Sequence, residues 1–180
     1  MQPKPAPPAP LPEALSRTRF MRALDRLAEV EAENERLRTA LETDRLTGIK
    51  NEVGMERIAG GRAGWYVLVD LNGFKAINDK HGHDAGDDVL REFAEFLRAN
   101  TRQDEARTCD TVPARLHGDE FAVWTENRAG ARRIKGLIRE WRSVHYPEAT
   151  ASAGIGRDLQ AADASMYLHK SRRKDSKRGL

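Results

Sequence analysis

The sequence predicts an α+β fold of the palm or ferredoxin-like type, a central antiparallel sheet flanked by helices, preceded by a coiled-coil helix. Apolar runs of strand length alternate with helical patterns in the order strand, helix, strand, strand, helix, strand. Two of these strands flank a short polar turn, and a heptad repeat precedes the whole pattern. The 180 residues allow one such domain with an appendage.

Composition excludes several classes of protein. Hydrophobic residues make up 39% of the chain, and no apolar run approaches the roughly 20 residues that a membrane span needs. A secretory signal is not expected, because the proline-rich N-terminal segment has no apolar core. Cys109 is the single cysteine, so no internal disulfide is possible. We therefore expect a cytoplasmic protein without a membrane partner.

The formal net charge of +3 is unevenly distributed. Residues 170–180 hold six lysines or arginines against one aspartate, a local net charge of +5. A solvated helix end explains this excess, so the charge alone does not indicate a nucleic-acid partner. We assign residues 175–180 to a basic tail.

Two segments precede the predicted domain. Six of the eight prolines lie in residues 1–12, which predicts a disordered Pro-rich lead over residues 1–15. Residues 16–43 show a heptad repeat and predict a dimerisation helix. Its a positions are Phe20, Leu27, Asn34 and Leu41, and its d positions are Ala23, Val30 and Leu37. One asparagine among the a positions favours a parallel dimeric coiled coil. The alternative is an amphipathic helix that packs on its own domain.

The elements of the domain follow in order. Trp65–Asp70 is a short apolar run between turn signals, which predicts a buried strand. Val89–Leu97 has apolar residues at helical spacing. Ala114–Leu116 and Phe121–Thr125 flank the turn His117–Glu120 and predict a hairpin. The last predicted elements are a basic helix at Ala131–Trp141, a strand at Thr150–Ile155 and a helix at Ala162–Arg173.

Three carboxylates form the candidate chemical site. Asp70 ends one predicted strand, and Asp119 and Glu120 lie in the predicted hairpin turn. In a palm-like sheet, two neighbouring central strands bring such side chains together, where they repel one another unless cations bind. Mg2+ prefers oxygen ligands and substrate phosphates, so this arrangement suits a phosphoryl-transfer site. The alternative is that these residues are ordinary surface acids in turns.

Six short motifs occur in order along residues 44–174. They are DRLTGIKN at Asp44–Asn51, DLNGFKAIND at Asp70–Asp79, GHDAGD at Gly82–Asp87, RLHGDEF at Arg115–Phe121, SAGI at Ser152–Ile155 and ADASMYLHK at Ala162–Lys170. In letters and order they resemble the motifs of the GGDEF domain, the diguanylate cyclase family. The resemblance implies a GGDEF domain at residues 44–174.

The resemblance also implies an activity and its residues. Enzymes of this family join two GTP molecules, one on each domain of a dimer, into cyclic di-GMP with release of pyrophosphate, and they use Mg2+ or Mn2+. The implied catalytic residues are Asp70, Lys75, Asp119 and Glu120, and the implied metal ligands are Asp70, Asp119 and the Leu71 carbonyl. The implied substrate-binding residues are Phe74, Asn78, Asp87, His117, Gly118, Lys170 and Lys174. Of these, Asn78 and Asp87 would read guanine.

The sequence departs from the family pattern at the signature. His117 replaces its first glycine, so an imidazole stands where the nucleotide is expected to approach the backbone. This leaves three interpretations, namely contact with phosphate or ribose, tolerated bulk, and lost turnover. Arg107 and Asp110 match an RxxD product-inhibition motif, but six residues separate Asp110 from His117 where five are usual. A one-residue bulge near Pro113 would absorb the difference.

Three hypotheses of function follow from these observations. The leading hypothesis is a dimeric diguanylate cyclase. The second is a catalytically degenerate GGDEF module that binds GTP or cyclic di-GMP and acts in signalling. The third is a scaffold that binds nucleic acid through the basic residues 170–180, although we regard nucleic acid as an unexpected partner.

Overall fold

The computed structural model describes residues 13–101 and 111–178, with side chains described for residues 17–101 and 111–168. Residues 1–12 of the predicted Pro-rich lead lie outside these ranges. The chain divides into two compact units, one up to Ala40 and one from Leu41 onward. Among the described residues, no helix is long and apolar enough to cross a membrane.

The described helices and strands include every element that the sequence predicts. The helices are α1 (Glu13–Glu42), α2 (Glu52–Ala59), α3 (Phe74–His81), α4 (His83–Asn100), α5 (Arg128–Glu140) and α6 (Leu159–Arg178). The strands are β1 (Lys50–Asn51), β2 (Trp65–Asn72), β3 (Thr111–His117), β4 (Glu120–Thr125) and β5 (Thr150–Gly156). The sequence patterns missed β1, α2 and α3.

The strands form one sheet in the order β1-β3-β4-β2-β5. The pairs β3–β4, β4–β2 and β2–β5 are antiparallel, as predicted. The sheet is nevertheless mixed, because the two-residue strand β1 pairs in parallel with β3. The α+β fold prediction is thus confirmed, and β2 lies in the middle of the sheet with β4 and β5 as its neighbours.

Helices cover both faces of the sheet. Successive residues of a strand point to opposite faces, so Val67 and Val69 of β2 contact one apolar cluster and Leu68 contacts the other. The first cluster contains side chains of α3, α4 and α5, including Phe93, which is fully buried. The second contains side chains of α2 and α6, together with Trp124 of β4. Each large buried side chain contributes about 1.5–3 kcal/mol to stability, so these clusters hold β2 and β4 in place.

Helix α1 exposes its heptad side chains. The predicted helix of residues 16–43 is confirmed, and α1 ends at Glu42. It begins at Glu13, so the prediction of disorder is wrong for residues 13–15. Phe20, Leu27, Val30, Leu37 and Leu41 are each more than half exposed in the single chain. These large apolar side chains occupy a and d positions, which is the pattern of a helix that pairs with another helix.

Polar contacts fix the start of the second unit to its first strand and helix. Asn51 caps α2, and its Nδ2 also donates to the carbonyl oxygen of Leu41 at 2.7 Å. The buried carboxylate of Glu42 lies 2.5 Å from Arg57 Nε and 3.4 Å from Lys50 Nζ. The hydrogen bond from Arg57 lowers the pKa of Glu42 below its ordinary value, although burial opposes the shift.

Candidate active site

The candidate site lies where β2 ends beside the turn between β3 and β4. Asp70 stands opposite Glu120 in the register of β2 and β4. Directly opposed residues in an antiparallel pair have neighbouring side chains, so these two carboxylates share one face of the sheet. Gly118 and Asp119 form the turn, and Gly118 has a φ of 50°, which favours glycine. The structure thus places all three predicted carboxylates at one end of two adjacent strands.

Backbone contacts hold the turn against β2. The amide nitrogen of Leu71 donates to the carbonyl oxygen of Asp119 at 3.3 Å. Since the N–H and C=O of one residue point to the same side of a strand, the Leu71 carbonyl also faces the turn. From the other strand, Arg115 donates through Nε and Nη2 to the Gly118 carbonyl at 2.9 and 2.8 Å. The backbone of the turn is therefore restrained from both sides.

Arg115 also connects the turn to the start of the domain. Its Nη1 lies 3.3 Å from each carboxylate oxygen of Asp44, in the DRLT segment. Asp44 accepts further hydrogen bonds from the amide and hydroxyl groups of Thr47, at 2.9 and 2.6 Å. Burial raises the pKa of Asp44, but the Thr47 hydrogen bonds and the Arg115 guanidinium outweigh burial and hold it below its ordinary value. Both residues belong to the sequence motifs, but only the structure shows that Arg115 contacts Asp44.

The first turn of α3 offers backbone N–H groups beside the carboxylates. Gly73 is the N-cap residue, has a φ of 82° and makes no side-chain capping bond. The first amides of a helix lack partners within the helix, so they suit an anionic ligand. Phe74 packs its half-buried ring against the core, and Lys75 next to it is exposed. These are the positions that the resemblance assigns to triphosphate binding.

Asn78 of α3 contacts α4 closely at Gly86. Its Oδ1 is buried and has no hydrogen-bond partner in the described part of the chain. A Cβ at Gly86 would lie 2.0 Å from Asn78 Oδ1 and 3.2 Å from Nδ2, so the oxygen is the atom nearer to α4. Glycine at position 86 therefore leaves room for the Asn78 amide, which would have to move if a side chain were present there.

Asp87, the second residue assigned to guanine, follows Gly86 on α4. Its side chain is 43% exposed, and its Oδ2 lies 3.8 Å from Arg91 Nη2. Arg91 makes a closer contact with Asp88, at 2.9 Å between Nη1 and Oδ1. Asp87 therefore keeps an accessible carboxylate, with Arg91 as a neighbouring cation that the sequence analysis did not identify.

His117 contacts Glu120, the second of the two acidic residues in the signature. Its Nε2 lies 3.3 Å from Glu120 Oε2, across the two-residue turn. The imidazole is 70% exposed, whereas the side chain of Glu120 is 36% exposed.

Oxygen ligands for a metal ion are present, but not as a complete carboxylate cluster. Within the described ranges, no group of three or more His, Cys, Asp and Glu residues is placed to hold a metal ion. The donors that the sequence predicts, Asp70, Asp119 and the Leu71 carbonyl, lie at the end of β2 and in the adjoining turn. Hard cations such as Mg2+ accept this donor set and commonly complete it with water and substrate phosphates.

Some predicted residues lie beyond what the structure describes. Lys170 and Lys174 belong to α6, but their side chains are outside the described set, and Arg107 and Asp110 lie in the undescribed residues 102–110. The bulge expected near Pro113 is wrong, because Pro113 pairs in register with Val123. The register instead shifts between Arg115 and His117, next to the turn, where an extra residue disturbs fewer ladder bonds.

Comparison with known proteins agrees with this geometry. The family model described as diguanylate cyclase, GGDEF domain, matches residues 41–176. The chain belongs to the GGDEF family. The match covers the sheet, the turn that carries Asp119 and the helices that carry Asn78 and Asp87, so the GGDEF resemblance of the sequence is confirmed.

Individual relatives share about a third of their aligned residues with this GGDEF chain. Response regulator PleD of Caulobacter vibrioides is 34% identical over 126 residues, covering 65% of this chain and 26% of PleD. Diguanylate cyclase DgcS of Shewanella oneidensis is 35% identical over 120 residues, covering 65% of this chain and 37% of DgcS. The chain thus corresponds to only a part of these curated relatives.

A solved structure is also similar to this chain, namely the coiled coil and GGDEF domain of DgcB from Caulobacter crescentus in complex with c-di-GMP. The two match with a TM-score of 0.57 and 22% sequence identity, over 91% of this chain and 94% of the DgcB chain. At that identity it supports the fold alone.

Proposed function

We propose that this chain is a diguanylate cyclase that joins two GTP molecules into cyclic di-GMP. The observation that carries the proposal is the position of Asp70 opposite Glu120, with Asp119 in the adjoining turn. In this reaction the 3′-oxygen of each GTP attacks the α-phosphorus of the other. The bond from the α-phosphorus to the bridging oxygen breaks, pyrophosphate leaves, and the 3′-hydroxyl loses its proton. A carboxylate such as Glu120, on the turn, is suited to accept that proton.

The triphosphate is proposed to bind at the start of α3. The uncapped amides at Phe74 and the exposed ammonium of Lys75 provide hydrogen bonds and positive charge on one turn of helix. Lys170 and Lys174 are proposed to add charge from α6. His117 and Gly118 form the hairpin side of the same pocket.

Asp70, Asp119 and the Leu71 carbonyl are proposed to hold Mg2+ or Mn2+. The donor set consists of hard oxygen atoms, and Leu71 directs its carbonyl towards the turn that its amide contacts. When bound, the cation stabilises negative charge on the phosphates and on the departing pyrophosphate. The phosphates would supply the remaining ligands, which explains why three protein carboxylates need not converge beforehand.

Guanine is proposed to bind between α3 and α4. Because Asn78 Oδ1 is directed at Gly86, the Nδ2 group of Asn78 is the donor left for O6 or N3 of the base. The accessible carboxylate of Asp87 can accept from N1–H and N2–H2, which adenine does not offer in that pattern. The proposal therefore favours GTP over ATP, and it places the domain in the cytoplasm, where GTP is available.

Dimerisation is proposed to occur through a parallel coiled coil of α1. Its exposed a and d side chains have the spacing of a helix pair. In the same heptads, the g and e′ positions place Arg26 with Glu31 and Glu33 with Arg38, which are opposite in charge. Two copies of the domain, each with one GTP, must face each other to form the product. Pairing through α1 raises the effective concentration of one half-site near the other.

The second candidate is a GGDEF module that binds GTP or cyclic di-GMP without turnover. The observation that favours it is His117, which places an imidazole against Glu120 where the signature has glycine. The RxxD residues Arg107 and Asp110 are proposed as a product-inhibition site in either case. The third hypothesis, nucleic-acid binding through residues 170–180, depends on side chains that lie outside the described residues.

The deciding experiment measures cyclic di-GMP and pyrophosphate formed from GTP and Mg2+ by the full chain. Wild-type protein is expected to form both, and Asp119→Ala is expected to form less than about one hundredth as much, since loss of one electrostatic contact to the reacting group costs about 10²–10³ in turnover. Glu140→Ala, an exposed carboxylate at the end of α5, is the matched control and is expected to keep full activity. GTP binding by the wild type without product would instead favour the second candidate.

A further inference from the structure

The contact between His117 and Glu120 has a geometry that the family signature, with glycine in place of the histidine, does not provide. The two residues face each other across the hairpin, and Nε2 of the imidazole lies 3.3 Å from Oε2 of the carboxylate. Opposed side chains at this position of an antiparallel pair are close enough to interact.

The rest of the turn is already restrained without His117. Arg115 holds the Gly118 carbonyl, and Leu71 holds the Asp119 carbonyl, so the backbone under Glu120 is fixed. What remains free is the Glu120 side chain, which has three rotatable bonds and is over a third exposed. Fixing a glutamate side chain has an entropic cost of about 1.5–2 kcal/mol, so a partner that fixes it beforehand favours the reactive arrangement.

The imidazole is exposed to solvent rather than buried between the strands. Its ring is 70% exposed, and its Nε2 lies against the Glu120 carboxylate. An exposed ring at the edge of the hairpin agrees with a positioning role better than with a blocked pocket.

We infer that His117 is a positioning residue, whose ring N–H holds the Glu120 carboxylate in one orientation at the edge of the site. The inference rests on the proposed cyclase function for its effect on turnover. The contact itself exists without nucleotide and can be tested separately.

The kinetic test compares His117→Gln, His117→Ala and His117→Gly with wild type. Glutamine keeps an N–H donor on the same strand position, so His117→Gln is expected to keep turnover within about twofold. Alanine and glycine remove the donor and are expected to lower kcat by about fivefold to tenfold, with KM for GTP changed less than twofold, which corresponds to the loss of one modest hydrogen bond. His145→Gln, another exposed histidine, is the control for the substitution itself and is expected to leave both constants unchanged.

Two outcomes of the kinetic test overturn the inference. A rise in kcat for His117→Gly would show that the imidazole obstructs the site. Equal losses in His117→Gln and His117→Ala would show that the donor is irrelevant. In either case the proposed cyclase function would survive, because product formation by the wild type establishes it independently.

A spectroscopic test covers the case in which the wild-type protein forms no product. Long-range 1H–15N spectra of the five histidines, recorded without nucleotide, are expected to show a change confined to His117 in Glu120→Gln. Glu140→Gln is expected to change none of them. An unchanged His117 signal in Glu120→Gln overturns the inference whatever the activity, whereas absence of product with a changed signal overturns only the proposed function and leaves the contact established.

Discussion

At the scale of single residues, the packing of Asn78 against Gly86 is the contact that most directly links structure to nucleotide choice. The Asn78 amide has its oxygen buried without a partner, and α4 approaches it so closely that no side chain fits at residue 86. A buried unpaired polar atom costs about 1–3 kcal/mol, so this orientation of the amide lowers stability. It leaves Nδ2, and not Oδ1, for the proposed contact with guanine.

Replacing Gly86 by alanine tests this role. The new methyl group would meet Asn78 Oδ1 at 2.0 Å, so the Asn78 amide must turn away and lose its alignment with guanine. We expect the affinity for a fluorescent GTP analogue to fall by about tenfold, the value of one hydrogen bond of about 1.4 kcal/mol. Gly136→Ala in α5, where no heavy atom lies within 4 Å, is the matched control and should bind normally. Normal GTP binding by Gly86→Ala would contradict the proposed role of Asn78.

The contacts of Arg115 could not be predicted from the sequence. The motifs located Arg115 and Asp44, and the sheet topology brought Asp70 and Glu120 together as expected. No sequence pattern states that the guanidinium of Arg115 contacts both the Gly118 carbonyl and Asp44, which lies 71 residues before Arg115. Contacts between distant segments depend on the folded geometry, so this link, like the contact between Arg91 and Asp87, required the structure.

At the scale of elements, the long amphipathic segments were predictable and the short ones were not. Helices α4 and α5 have apolar residues on one face over several turns, and both are confirmed. Helix α3 offers only Phe74 and Ile77 as core residues over eight positions, and it begins at a glycine with positive φ. Strand β1 has two residues, too few for any alternation to appear. These elements form because neighbouring segments pack against them.

The proposed pairing of two copies of α1 gives the second prediction. Replacing Val30 and Leu37, two exposed d positions, by serine removes apolar side chains from the proposed seam. We expect sedimentation equilibrium to show a dimer for wild type and a monomer for the double variant, with cyclase activity per chain lowered at least tenfold at micromolar protein. The control replaces Glu29 and Arg36, which lie outside the seam, by serine and should remain dimeric. A monomeric wild type with full activity would contradict the coiled-coil proposal.

At the scale of the whole domain, acid stability depends on two carboxylates at its start. Glu42 and Asp44 both have pKa values below their ordinary 4.5 and 3.8 in the folded chain. The unfolded chain therefore binds more protons below about pH 5, and stability from these groups is present above their ordinary pKa values and lost as pH falls through the lowered ones. Acid should therefore weaken the attachment of Leu41–Thr47 to β1, α2 and Arg115.

Urea unfolding between pH 7 and pH 3 measures this effect. The double variant Glu42→Gln, Asp44→Asn should be less stable than wild type at pH 7, and the difference should shrink steadily as pH falls to 3. Glu140→Gln, on an exposed helix end, should follow the wild-type curve throughout. A difference that is independent of pH would show that these carboxylates act through packing and not through their charge.

The most direct measurement of the proposed function follows the initial rate of cyclic di-GMP formation from GTP as protein concentration is varied. Because product requires two domains, each with one GTP, we predict that the rate rises as about the square of concentration while protomers are mostly monomeric, and linearly once α1 has paired them. Asp119→Ala should form less than about one hundredth of the wild-type product across the same range. Absence of cyclic di-GMP from wild-type protein at every concentration, with pyrophosphate also absent, would contradict the proposal that this GGDEF chain is a cyclase.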